Sequence, residues 1–110
     1  MAKLTKFIWV SPETWKLCKL ASIRDGEIDK ALSNAIVEMF EKEALHDFEF
    51  ERSEEKKALK VSEETWYLVD RFKRELGFKT ADEFVFSVVA SYLISLGVSK
   101  ACLMNLLETL

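Results

Sequence analysis

Apolar and polar positions along this chain follow one pattern twice. From Lys3 to Val10, aromatic and β-branched residues dominate, and no helix signal appears before Ser11. This predicts a strand. Ser11 suits a helix N-cap, Pro12 the first helical position and Glu13 the positive end of the helix dipole. The first helix is expected from Pro12 to about Arg24, with an apolar face of Trp15, Cys18 and Ala21 joined by Leu17 and Leu20. Asp25-Gly26 ends it, glycine being free to turn left-handed. Asp29 is placed to cap a second helix, from Lys30 to about Ala44, with Leu32, Ala35, Ile36, Met39 and Phe40 as its buried stripe.

The pattern restarts at Lys56. A strand over Lys56–Val61 leads to Ser62 as N-cap, with Glu63 and Glu64 in the first helical turn. That helix runs to about Leu76, with Trp66, Val69, Phe72 and Leu76 inward, and Gly77 ends it. Thr80 caps a longer helix, Ala81 to Leu96. Its apolar positions (Phe84, Val85, Val88, Val89, Tyr92, Leu93, Leu96) cover much of the circumference, so it must be contacted from several sides. After Gly97, Ser99 caps a short last helix, Lys100–Leu107.

The repetition reaches single residues. Val10-Ser11-Pro12-Glu13-Thr14-Trp15 returns as Val61-Ser62-Glu63-Glu64-Thr65-Trp66, and Gly26 and Gly77 each lie sixteen residues past the valine. With the second post-glycine loop read as one residue longer, Leu32 matches Phe84, Ile36 matches Val88 and Phe40 matches Tyr92. Two units of about fifty residues, each too small to bury much of a core alone, predict a pseudo-twofold molecule. The expected organisation is a first unit over 1–45, an acidic connector over 46–55, a second unit over 56–97 and a C-terminal helix over 98–110, all in one compact domain.

Composition refines this reading. The 110 residues are 49% hydrophobic and 32% charged, with three glycines and one proline, which fits a helical globular protein. The apolar run from Phe84 to Leu96 is interrupted by Ser87, Ser91 and Ser95 and falls short of a bilayer span, which needs about 20 residues. The N-terminal apolar stretch is too short for a signal peptide, so a cytoplasmic location is expected. Cys18 and Cys102 have no metal-ligand spacing; reduced thiols are expected, and a bridge is left open. The net charge is −3, and residues 41–57 carry all of it, with seven acids and four bases. The acidity therefore belongs to the connector and does not forbid a local basic face, although it removes an overall basic charge as an argument for nucleic acid. Within the connector, Phe48 and Phe50 alternate with acids. An extra edge strand and a solvated link are both open.

Strand, capped helix, glycine turn and longer amphipathic helix in under fifty residues resembles the ribbon–helix–helix family of DNA-binding regulators. The resemblance covers roughly 85 of the 110 residues, in both copies. Tandem copies occur in the family, including regulators from archaeal viruses, which this chain resembles. The resemblance implies a mainly α fold in which the two strands pair as a short antiparallel ribbon, forming an intrachain pseudo-dimer. It further implies a sequence-specific transcription regulator that inserts this ribbon in the major groove of double-stranded DNA.

Side chains alternate faces along a strand. With Ile8, Val10, Leu59 and Val61 inward, Thr5, Phe7 and Trp9 of one strand and Lys56, Ala58 and Lys60 of the other face outward. The resemblance makes these the base-reading positions. Lysine donates to guanine acceptors or phosphates and alanine contacts a thymine methyl. Phe7 and Trp9 depart from the family's usual polar set and are open to two readings, DNA contact or a protein-covered patch. Lys3 and Lys6 are candidate further contributors to affinity. A phosphate at the N-terminus of the longer helix is the second implied contact. Lys79 and Thr80 suit it in the second unit; Asp25, Glu27 and Asp29 oppose it in the first, so asymmetric binding is expected.

The only histidine, His46, has no second ligand at suitable spacing, and no phosphate loop, nucleophile elbow or calcium loop is present. No enzyme activity, cofactor, metal or small-molecule substrate is expected. The apolar C-terminal segment (Leu103, Met104, Leu106, Leu107, Leu110) is either a contact between copies on DNA or a helix folded onto its own core. The alternative function is a protein-interaction module of the same fold, antitoxin-like or an assembly partner, without DNA binding.

Overall fold

The computed structural model describes residues 5–43, 45 and 52–108. Its elements run in the order β1 (Thr5–Val10), α1 (Pro12–Asp25), α2 (Ile28–Lys42), β2 (Lys57–Ser62), α3 (Glu63–Leu76), α4 (Ala81–Ser95) and α5 (Lys100–Glu108). The first six elements are two strand–helix–helix units. β1 and β2 pair antiparallel as a two-stranded ribbon, so a tandem ribbon–helix–helix chain closes on itself as a pseudo-dimer.

Local chemistry sets the helix ends. Ser11 and Ser62 sit in extended backbone, and their hydroxyls accept from the amides of Thr14 and Thr65, each at 3.3 Å. One of the orphan donors at each helix start is thereby satisfied. Gly26 (φ 94°) and Gly77 (φ 76°) close α1 and α3 in backbone that side chains rarely adopt. α1 and α3 have 14 residues each, and α2 and α4 have 15.

The equivalence shifts between the helices of each unit. α1 and α3 start 51 positions apart, whereas α2 and α4 start 53 apart. The second loop is therefore two residues longer than the first, and not one. Ala35 then corresponds to Val88 and Met39 to Tyr92. Asp29 also does not cap α2: Glu27 occupies the N-cap without a side-chain bond, and α2 ends at Lys42, with Glu43 left-handed. The Asp29 carboxylate is used elsewhere, as described below.

The core lies between the inner face of the ribbon and the helices. Ile8, Val10, Leu59 and Val61 project into it from the strands. α4 runs through its centre, every residue from Phe84 to Leu93 being buried against α1, α2, α3 and β1. A helix contacted all round needs no polar stripe. Leu76, expected inward, is 43% exposed in the last turn of α3. α5 folds back, putting Leu103 and Leu107 into the common core, while Lys16 Nζ donates to the Leu106 carbonyl at 3.4 Å. Cys18 is buried and Cys102 exposed, both as free thiols, and burial pushes the Cys18 thiol up to about 12. His46, Phe48 and Phe50 of the connector, with Lys3 and Leu110, lie outside the described residues. No helix among the described residues is long and apolar enough to cross a membrane.

Candidate nucleic-acid interface

The ribbon register places Ile8 opposite Leu59, Phe7 opposite Lys60 and Trp9 opposite Ala58. Ile8 and Leu59 are also equivalent positions of the repeat, so the pseudo-twofold axis passes between them. The ladder is slightly off-centre about this axis. It extends to a Thr5–Ser62 pair on one side, and Lys56 remains just outside β2 on the other.

Alternation then divides the side chains by face. Thr5, Phe7, Trp9, Ala58 and Lys60 are exposed on the face opposite the core. Phe7 and Trp9 keep 52% and 62% of their surface accessible, high values for aromatic residues. Lys56 is exposed at the edge of this face. The two strands, TKFIWV and KALKVS, contain three lysines and no acid. Their local charge is therefore opposite in sign to that of the whole chain.

Reciprocal contacts between the units hold the ribbon on the helices. Lys57 Nζ lies 4.1 Å from the centre of the Trp15 ring, and Lys6 Nζ lies 5.6 Å from that of Trp66. Lys6 and Lys57 are repeat equivalents, as are Trp15 and Trp66, so each unit supplies the cation for the other's indole. The carboxylates behave in the same way. Asp82 Oδ1 accepts from the Ser11 amide at 2.8 Å, and Asp29 Oδ1 from the Ser62 amide at 2.8 Å. Each is the second residue of its helix and satisfies the cap of the opposite unit.

These bonds also position the helix N-termini. The start of α4, with Lys79 and Thr80, is tied to the end of β1 beyond Trp9. The start of α2 is tied to the end of β2 beyond Lys60. Lys79 and Thr80 are exposed, and the Thr80 hydroxyl accepts from the Glu83 amide at 3.1 Å. At the other end a groove of about 480 Å³ runs between ribbon and helix, lined by Thr5, Lys19, Glu27, Asp29, Lys60 and Ser62 among others. The acids that the sequence sets against phosphate in the first unit are mostly engaged internally. Asp29 holds Ser62, and Asp25 Oδ2 accepts from the Tyr92 hydroxyl at 2.9 Å; Glu27 remains exposed. Burial and then the Asp25 bond push the Tyr92 phenol up to about 12.

Asp82 is the most elaborately held side chain of the region. Besides the Ser11 amide it accepts from the Ser11 hydroxyl at 3.0 Å and pairs with Arg52 Nε at 2.8 Å. The Arg52 guanidinium also lies 5.0 Å from the Phe86 ring centre. Burial alone would raise the Asp82 carboxyl, but bonds from Thr14, Ser11 and Arg52 outweigh it and hold the group below the ordinary carboxylate range.

No family model, curated protein or solved structure matches this chain. Among the described residues no three His, Cys, Asp or Glu gather as a metal-binding group. The sequence reading missed the Asp29–Ser62, Asp82–Ser11 and Arg52–Asp82 contacts. The Lys6–Lys57 equivalence was readable at the same 51-residue offset as Trp15–Trp66. The Asp29–Asp82 equivalence was hidden by the longer second loop.

Proposed function

We propose that this protein is a sequence-specific, double-stranded DNA-binding transcription regulator of the ribbon–helix–helix type, inserting its β1–β2 ribbon in the major groove. The observation that carries this reading is the outer face of the ribbon. It is acid-free, it is not needed by the core, and it presents Lys60 and Ala58 beside Phe7 and Trp9. A two-stranded ribbon fits a major groove about 12 Å wide. Lys60 donates to guanine acceptors. Lys56 at the ribbon edge, and Lys79 with Thr80 at the start of α4, hold phosphates.

Exchanging both Lys56 and Lys60 for alanine tests this. Both side chains are exposed, so the fold should survive. DNA binding should be lost while the circular dichroism spectrum and unfolding midpoint stay unchanged. Unaltered DNA association in the folded variant contradicts the proposal.

The second reading is a protein-interaction module of the same fold, and the exposure of Phe7 and Trp9 favours it. Aromatic residues are enriched at protein interfaces. On that reading the lysine exchanges leave partner capture intact and Trp9→Ala abolishes it.

A further inference from the structure

We infer that the DNA site of this protein is non-palindromic, with one half-site read through guanine and the other through thymine methyl groups. This rests on the ribbon being a major-groove reader.

The pseudo-twofold axis is kept where it holds the fold. Ile8 and Leu59, Val10 and Val61, Ser11 and Ser62, Trp15 and Trp66, Lys6 and Lys57, and Asp29 and Asp82 are all matched in chemistry and role. Outside, no matched position agrees. Trp9 corresponds to Lys60, Phe7 to Ala58 and Thr5 to Lys56.

The register converts these mismatches into two different halves. On one side of the Ile8–Leu59 pair, Phe7 stands beside Lys60; on the other, Trp9 stands beside Ala58. The first side offers an ammonium group, which matches the O6 and N7 acceptors of guanine. At the same step from the axis the second offers only Trp9 and Ala58, the Lys56 ammonium lying one step further out, beyond the end of β2, and the apolar feature of the major groove is the thymine methyl. Two residues along a strand span about 6.8 Å, roughly two base steps, so both contacts fall within one short site. The flanks are asymmetric too, in the opposite sense: Lys79 and Thr80 lie beyond Trp9, whereas Glu27 and Asp29 lie beyond Lys60. A symmetric operator would put one half against the wrong chemistry.

The test is selection of duplexes by the full chain from a random pool, followed by single-atom changes in the selected site. Deoxyuridine in place of thymidine removes only the methyl group, and 7-deazaguanine removes only N7. An asymmetric motif is expected. Deoxyuridine should weaken binding about fourfold per methyl in the Trp9 half, with little effect in the other. 7-Deazaguanine should weaken it about fivefold or more in the Lys60 half. Each sensitivity should vanish in the matching variant, Trp9→Ala or Lys60→Ala. A palindromic motif, or equal sensitivities in both halves, overturns the inference and leaves the DNA-binding reading standing. Retention of no duplex at low salt overturns that reading and the inference with it.

Discussion

Lys57 lies over the Trp15 ring at 4.1 Å, and the two residues come from opposite halves of the repeat. The contact bridges the seam that an ordinary dimer would leave between subunits. A cation over an indole contributes about 0.5–1 kcal/mol when partly exposed. Lys57→Ala should lower unfolding free energy by about that amount, as read from urea titration. The effect should disappear when Trp15 is already leucine. Lys6 over Trp66, at 5.6 Å, should give a smaller value.

Asp82 should matter more than its repeat equivalent. It is buried and accepts from Ser11 and Arg52, whereas Asp29 is half-buried with one bond to Ser62. Asp82→Ala leaves the Ser11 amide and hydroxyl and the Arg52 guanidinium without this partner, at a cost of about 3 kcal/mol. Asp29→Ala should cost about 1 kcal/mol. Thermal unfolding of the two variants distinguishes these magnitudes.

The same carboxylate gives an acid limb. Its folded pKa lies below the ordinary aspartate value of 3.8, so the native state favours the ionised form. The resulting stability is present above that value and is lost as pH falls through the lower folded pKa. Urea midpoints measured from pH 5 downward should fall, and Asp82→Asn should flatten the part of the slope below pH 3.8.

Tyr92 predicts an alkaline limb of opposite sense. Its folded pKa is raised from 10.0 to about 12, so the native state favours the neutral phenol. That stability is complete below pH 10 and is lost as pH rises towards 12. Tyr92→Phe removes the bond to Asp25, should cost about 1 kcal/mol at neutral pH and should remove this limb.

The architecture was largely legible because hydrophobic periodicity, Ser-x-x-Thr caps and glycine stops all occur twice in register. The inner and outer faces of the ribbon followed from alternation alone. What stayed hidden depends on contacts distant in sequence. Ser11 and Asp82 are 71 positions apart, and nothing local marks Asp82 as a buried acceptor rather than a first-turn acid. Asp29 looked like a cap because acids favour helix starts, yet its bond to the opposite unit at Ser62 takes precedence. Helical spacing puts Leu76 inward, but it sits in the last turn of α3, where its side chain stays 43% exposed.

Regulation by this chain depends on the outer face of the β1–β2 ribbon binding duplex DNA. Binding of the full chain to random and enriched duplex pools at two salt concentrations tests it most directly. Each phosphate neutralised contributes about 0.9 to the slope of log affinity against log salt. An enriched motif and a steep slope are expected, with the slope lower by about one in Lys56→Ala. No retention of either pool at low salt would contradict DNA binding and leave the aromatic face of Phe7 and Trp9 as a protein-binding surface.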